Sequence, residues 1–193
     1  MRILINLVLV ALIAALAYLL YSGIAEPIKF KAEKDRRESA VISKLEQIRT
    51  CQEIYRDITG EFAADFDSLS YTLRTDSIPF RQVLEDPEFP GDPEKFIVNT
   101  ILSSALDSIN SMGIDLASLS DVPFSNNAKF SIVADTITYQ KTNVWVTEVM
   151  TKYNEFMGEY ADNRYMKYDD TYNPKNNIGF GSMNSPNLEG NWK

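Results

Sequence analysis

Two pairs of carboxylates are the residues of this chain whose types and spacing come closest to a catalytic arrangement. Asp65 and Asp67 flank Phe66, and Asp169 is followed directly by Asp170. Paired carboxylates can perform acid–base work, but no second element is tied to either pair. The chain also has no His, which removes the usual general base near neutral pH and the commonest metal ligand. We therefore expect that the protein is not an enzyme.

The other reactive residue types are scarce or lack an activating partner. Cys51 is the only cysteine, which excludes an internal disulfide and a thiolate metal cluster. We expect it to be a small buried side chain on a helix face. Gly179 and Gly181 are separated by one residue, but no strand–turn–helix unit surrounds them as in a nucleotide-binding loop. No cofactor and no metal site is expected.

Acidic residues dominate the charge of the chain, which is −8. This charge disfavours nucleic acid, whose phosphates require a surplus of Lys and Arg. Residues 85–94, EDPEFPGDPE, concentrate carboxylates that suit a hard cation such as calcium. The candidates are Asp86, Glu88, Asp92 and Glu94. The prolines do not leave the spacing of a known calcium loop, so a solvated acidic loop is favoured. We expect neither nucleic acid nor a small-molecule substrate as a partner.

The N-terminal segment is predicted to be a transmembrane anchor over residues 1–25. Residues 3–21, ILINLVLVALIAALAYLLY, contain no charge and no proline. As a helix, about 19 residues extend about 28 Å, close to the thickness of a bilayer's hydrocarbon core. Tyr18 and Tyr21 lie where aromatic side chains favour the membrane interface. A cleaved signal peptide is the alternative, with small residues at 23–25, but its apolar region would be shorter.

Asn6 is the one strongly polar side chain in this span. It either bonds a neighbouring membrane helix or lies near the lipid headgroups. The orientation of the span follows from its flanking cations. Arg2 precedes it, and five cations follow it closely: Lys29, Lys31, Lys34, Arg36 and Arg37. Counting Lys and Arg alone therefore predicts a cytoplasmic C-terminal part.

A long amphipathic helix is predicted to continue from the anchor and to form the spine of a soluble domain over residues 26–171. Pro27 predicts a kink or a restart. Beyond it, an apolar stripe at helical spacing comprises Val41, Leu45, Ile48, Gln52 and Tyr55, widened by Cys51 and Ile58. Gly60 is a natural end for the helix. The stripe predicts a core face, and a coiled-coil seam is the alternative.

The spine is predicted to pack on a small antiparallel sheet, which makes the fold α+β. Residues 94–112 show helical spacing of apolar residues and predict a second helix ended by Gly113. From residue 129 the period changes to two, and residues 130–149 predict a three-stranded meander with a turn at Thr142-Asn143. Residues 151–160 predict a short helix.

The C-terminal segment, residues 172–193, is rich in Asn, Gly, Ser and Pro and is predicted to be an irregular tail. Four apolar residues are spaced along it: Phe180, Met183, Leu188 and Trp192. The tail is either a loosely held terminus or a segment that docks on a partner. With Asn6, Tyr18 and Tyr21, these four residues are the candidate partner interface.

The predicted spine resembles the second half of the long helix in type IV pilins and secretion pseudopilins. The similarity covers residues 1–70 and is carried by residues 36–55, by Gly60-Glu61-Phe62 and by Phe66-Asp67-Ser68-Leu69. It implies that Ile48, Gln52 and Tyr55 line the core, that the helix ends near Gly60, and that Leu69 closes the following loop.

The N-terminus departs from the pilin pattern. Pilins carry a short basic leader, a Gly cleavage point and a Glu near the start of the apolar helix, whereas this sequence begins Met1-Arg2-Ile3-Leu4-Ile5-Asn6. We therefore expect that prepilin peptidase does not process the chain. The Glu that registers subunits in a filament is also missing, which argues against polymerisation.

The whole chain is similar to a group of bitopic envelope proteins. The shared segments are Glu26-Pro27-Ile28-Lys29-Phe30, Ile48-Arg49-Thr50, Asp76-Ser77-Ile78-Pro79, Val122-Pro123-Phe124 and Gly190-Asn191-Trp192. This resemblance implies a single-pass protein of the bacterial inner membrane with a periplasmic, pilin-like domain, which conflicts with the Lys and Arg count. We expect a structural subunit of a trans-envelope secretion, motility or energised transport assembly, with the bilayer and other inner-membrane or periplasmic subunits as partners. The alternatives are a filament-forming pilin or pseudopilin and a membrane-tethered ligand-binding or enzymatic domain.

Overall fold

The computed structural model describes residues 1–85 and 96–192, and within them the chain is α+β, with one long N-terminal helix and two small antiparallel sheets. The helices are α1 (Arg2–Thr59), α2 (Phe66–Thr75), α3 (Ala105–Ser111) and α4 (Tyr153–Phe156). The strands are β1 (Ser77–Glu85), β2 (Phe96–Ser104), β3 (Ser131–Tyr139), β4 (Thr142–Lys152) and β5 (Asn177–Gly181). Two 3-10 helices, Gly158–Tyr160 and Asn163–Tyr168, lie between α4 and β5.

Helix α1 is one continuous rod, as the anchor joined to the spine predicts. The helix passes through Pro27 without the predicted restart. Gly23 lies four residues earlier, and a Cβ atom at this position would meet no other atom within 4 Å. The rod ends at Gly60, whose φ of +85° is the left-handed conformation that glycine adopts freely, and whose N–H donates to Arg56 O at 2.8 Å. The predicted end of the spine is confirmed.

The predicted apolar stripe of α1 forms one wall of the core. Its buried members are Val41, Leu45, Ile48, Cys51, Gln52 and Tyr55. The same core includes Leu69 and Leu73 from α2 and Val149, Ile178 and Phe180 from the three-stranded sheet. The spine therefore packs against an antiparallel sheet, as predicted. The core also extends further toward the anchor than the stripe indicates, because Phe30 is fully buried.

The prediction of one helix over residues 94–112 is wrong for its first half. Residues 96–104 form β2, which pairs with β1 along nine positions from Ser77↔Ser104 to Glu85↔Phe96. Of the described residues in this range, Ala105–Ser111 are helical. A short apolar run does not distinguish helix from strand by spacing alone, and the β-branched residues of this run favour a strand once a partner strand is present.

The three-stranded sheet has the sequential antiparallel order β3-β4-β5 of a meander, but its strands occupy other residues than predicted. Residues 131–139 form one strand rather than parts of two, and the hairpin turn lies at Gln140-Lys141 instead of Thr142-Asn143. Both turn residues have positive φ, 49° and 70°, as a two-residue hairpin turn requires. Neither residue type is typical of such a turn, so the sequence does not reveal it.

The third strand comes from the segment predicted to be irregular. β5 pairs with β4 from Glu148↔Gly181 to Lys152↔Asn177. Gly179 lies where a Cβ atom would be 2.2 Å from Val149 O, so its glycine is required by the close approach of two strands. The prediction of coil for residues 172–193 is therefore wrong at its centre. The predicted short helix at 151–160 is present as α4 and the 3-10 helix Gly158–Tyr160.

Candidate interaction surfaces

The first pair of carboxylates has a structural role. Asp65 is the N-cap of α2, and its carboxylate accepts hydrogen bonds from Ser68 N at 2.7 Å and Ser68 Oγ at 2.9 Å. These bonds lower the pKa of Asp65, because they stabilise the ionised form. The side chain thus supplies an acceptor to the free N–H groups of a helix start.

In the second pair of carboxylates, Asp169 is the member held by contacts with another element. Asp169 accepts a hydrogen bond from Lys34 Nζ at 2.7 Å, and the same ammonium lies 3.6 Å from Glu38. Tyr153 Oη donates to the other oxygen of Glu38 at 3.0 Å. Although partial burial opposes it, hydrogen bonds from Lys34 and Thr171 lower the pKa of Asp169 to about 2. This network ties α1 to the end of the 3-10 helix Asn163–Tyr168.

A polar cavity of about 580 Å³ lies beside this network. Trp192 and Asn191 line it on one side and Glu38 on the other. Glu38 is the one carboxylate among the described lining residues, and it is already held by Lys34 and Tyr153. A pair of convergent carboxylates, as acid–base catalysis would use, is not formed here.

The described residues contain neither a cluster of metal ligands nor an exposed thiol. Residues 1–85 and 96–192 contain no group of three or more metal-ligating side chains. The calcium candidates Asp86, Glu88, Asp92 and Glu94 lie outside the described residues. Cys51 is buried, and burial raises the pKa of its thiol to about 12, so the reactive thiolate is disfavoured.

The N-terminal half of α1 is an uncovered apolar surface. Every side chain from Arg2 to Tyr21 is exposed, including the candidates Asn6, Tyr18 and Tyr21. By length and composition alone, this part of the helix is sufficient to cross a membrane. Among the described residues, the core of the head includes no side chain from this segment.

Strands β1 and β2 form a second uncovered surface, which we call the arm. In an antiparallel pair, residues directly opposite each other share a face. The pairs Phe80↔Ile101 and Leu84↔Ile97 thus place four apolar side chains on one face. This face continues from Ile78, which is buried in the core at the base of the arm.

The other face of the arm is apolar as well. Val83 is opposite Val98, and Leu102 is opposite Pro79. The seven large apolar side chains on the two faces are between 39% and 69% exposed. Each strand of this two-stranded sheet also has one edge without a neighbour among the described strands. The arm was not predicted from the sequence, although the β-branched residues at 97, 98, 100 and 101 favour a strand.

The tail is docked on its own domain. Phe180 is buried in the core, and Leu188 and Trp192 pack against it, while Met183 is half-buried. Asn191 holds the end of the chain in place, since its Oδ1 accepts from Gly179 N and its Nδ2 donates to Asn177 O, both at 3.0 Å. Phe180 is therefore enclosed by the chain itself. A contact of Met183, Leu188 or Trp192 with a partner stays a prediction.

Three comparisons with known proteins gave no match that could explain these surfaces. No family model matches the chain, and no curated protein or solved structure is significantly similar to it. The resemblance to pilins therefore rests on the residues quoted above. The two uncovered apolar surfaces, the N-terminal half of α1 and the arm, are the strongest functional features of the described structure.

Proposed function

We propose that this protein is a non-enzymatic structural subunit of a trans-envelope membrane assembly. The N-terminal half of α1 lies in the bacterial inner membrane beside other membrane helices. The remaining residues form a pilin-like head that contacts other inner-membrane or periplasmic subunits of a secretion, motility or energised transport machine.

The arm is the observation that carries this proposal. An isolated two-stranded sheet is marginally stable in water, and apolar patches on both of its faces are unfavourable without a covering surface. Burying apolar area contributes about 25 cal/mol per Å². A partner protein that covers either face therefore gains stability from side chains that the head leaves unused, such as Phe80 and Leu102.

Affinity purification of the full chain in mild detergent tests the proposal. We expect stoichiometric membrane partners to co-purify with the wild-type protein. Phe80→Ser and Leu102→Ser each remove an exposed apolar side chain from one face of the arm, and at least one of them should lower partner recovery severalfold. Tyr71→Ser, an equally exposed aromatic position on α2, is the matched control. A clean monomer, or equal recovery with all variants, would contradict the proposal.

The periplasmic location of the head is a separate part of the proposal. The resemblance to envelope proteins supports it, whereas the cations after the span favour the cytoplasm. A topology reporter fused after Lys193 decides between them. Activity of a reporter that works only in the periplasm supports the proposed location, and activity of a cytoplasmic reporter contradicts it.

A filament-forming pilin or pseudopilin is the second candidate function. The continuous rod of α1, with its exposed N-terminal half, favours it because such a helix can pack against copies of itself in a filament core. Electron microscopy of the overproduced protein distinguishes the two functions. Filaments labelled by an antibody to the head support the second, and discrete particles support the first.

A further inference from the structure

A cavity of about 300 Å³ lies where α1 leaves the predicted membrane span and meets the head. We call it the junction cavity. One wall is a face of α1, on which Tyr18, Tyr21, Ala25 and Lys29 follow one another at helical spacing. Tyr160 and its neighbour Glu159 line the other wall. Ala25 has a small side chain, which leaves the space between the rings of α1 and the lysine open.

The aromatic side chains of the head that line the junction cavity, Tyr160 and Tyr165, pack against the buried ring of Phe30. Phe30 is buried and stacks on Tyr165, with ring centroids 5.1 Å apart, and its ring lies 5.9 Å from that of Tyr160. The guanidinium of Arg164 lies 4.5 Å from the centroid of Tyr165. Phe30 and Arg164 therefore both contact the ring of Tyr165, and the ring of Tyr160 packs edge-on against it at 5.1 Å. The rings offered to a ligand are those of Tyr18 and Tyr21 on α1 and of Tyr160 on the head.

The charges of the junction cavity are of both signs and are not matched to each other. Lys29 and Glu159 line it, and neither has an ion-pair partner within 4.0 Å among the described residues. Glu26 adds a second carboxylate, which is already engaged: it accepts a hydrogen bond from Tyr168 Oη at 2.7 Å and lies 3.9 Å from the guanidinium of Arg164. A cavity with the available ammonium of Lys29, the available carboxylate of Glu159 and aromatic rings is complementary to a zwitterion.

We propose that the junction cavity binds the headgroup of a zwitterionic, ethanolamine-type phospholipid. The ligand's ammonium lies against Tyr160 and the carboxylate of Glu159, and its phosphate pairs with Lys29. This inference rests on the proposed membrane span, because that span places Tyr18 and Tyr21 at the level of the lipid headgroups. The lipid then fixes how far the head stands from the bilayer and keeps α1 and the 3-10 helix Gly158–Tyr160 together.

The test uses the full chain in nanodiscs that contain equal amounts of phosphatidylethanolamine and phosphatidylglycerol. Native mass spectrometry after release from the discs measures which lipid stays bound. We expect one retained phosphatidylethanolamine per chain, in clear preference to phosphatidylglycerol. Lys29→Gln and Glu159→Gln should each lower this retained fraction about tenfold, as for the loss of one hydrogen bond to a charged group. Lys31→Gln and Glu155→Gln make the same charge changes at exposed positions outside the cavity and should have no effect.

Three results would overturn the inference. Equal retention of the two lipids excludes recognition of the ammonium, and equal loss in the control variants excludes this cavity as the site. Binding of soluble phosphoethanolamine by the lipid-free chain in detergent, as tight as that of the lipid, assigns the cavity to a free solute instead. A chain that does not enter the discs overturns the membrane span as well, whereas an inserted chain without lipid preference overturns only the lipid site.

Discussion

At the scale of single residues, Gln52 shows how a polar side chain stabilises this core. It is fully buried on the apolar stripe of α1, yet both ends of its amide are used. Its Nε2 donates to Ala63 O, and its Oε1 accepts from Ala63 N, each at 2.9 Å. The side chain thus replaces the partners that the backbone loses where the chain turns between α1 and α2.

Replacing Gln52 by Leu should lower the free energy of unfolding by about 3 kcal/mol, because both polar groups of Ala63 would be left buried without partners. The expected fall in Tm for a chain of this size is about 6–12 °C. Thermal unfolding followed by circular dichroism measures it. Gln47→Leu, on the same helix at a half-buried position, is the control and should change stability by less than about 0.5 kcal/mol. Equal effects of the two substitutions would contradict this role for Gln52.

The ion pair between Lys34 and Asp169 predicts a dependence of stability on acid. The pKa of Asp169 is about 2 in the folded chain, below its ordinary value of 3.8, so its contribution is present above pH 4 and is lost as the pH falls toward 2. The shift corresponds to about 2 kcal/mol at neutral pH. Wild type and Asp169→Asn should therefore differ by about this amount at pH 7 and converge near pH 2 in denaturant titrations. The exposed Asp170→Asn is the control; a constant difference across this pH range would refute the assignment.

At the scale of elements, β5 connects the C-terminal segment to the rest of the head. Its two glycines lie against β4, and a Cβ atom at Gly181 would be 2.1 Å from Thr147 O. The block Gly190-Asn191-Trp192 then pairs with β5 through the side chain of Asn191 and an antiparallel bridge between Gly190 and Phe180. The position of the last residues therefore depends on the pairing of β4 with β5.

Gly179→Ala should detach this whole segment. The added methyl group would meet Val149 O, and overpacking of this kind costs about 1–3 kcal/mol. We expect lower stability in guanidinium and faster proteolysis after residue 176. Gly23→Ala places the same methyl group in open space on α1 and should be neutral or slightly stabilising. A C-terminal segment that stays protected in Gly179→Ala would show that β5 is not the element that holds it.

At the scale of the whole molecule, the apolar residues of α1 have two destinations. Those of α1 before residue 22 are exposed, and those from Phe30 onward enter the core of the head. The head therefore does not depend on the N-terminal segment for its packing. We therefore expect the head to fold and stay in solution by itself, and the N-terminal segment to be the part that binds a bilayer.

A chain that lacks residues 1–25 should fold and remain in solution, with a Tm within about 3 °C of the full chain, because it loses no core contact. Flotation with vesicles measures whether each chain binds a membrane. The full chain should float, since its apolar span favours the bilayer, and the shortened chain should not. A shortened chain that unfolds, or that floats as fully as the intact one, would contradict this division.

Several features of the fold could be predicted from the sequence because they depend on local spacing. The apolar run of residues 3–21, the stripe from Val41 to Tyr55 and the helix end at Gly60 each follow from residues that lie within a few turns of one another. Burial of Cys51 follows in the same way, from its place on the stripe. The absence of His likewise excludes a histidine general base and a histidine metal ligand, whatever the fold.

Only the tertiary structure decided the arm, the third strand and the junction cavity. Whether residues 96–104 are helix or strand depends on β1, which supplies the hydrogen bonds of a ladder. β5 forms because its glycines fit against β4, a partner distant in sequence. Lys34 and Asp169 are 135 positions apart, and the cavity combines α1 with residues near position 160. Such contacts depend on loop closure and packing of the whole chain, which no local pattern of residues encodes.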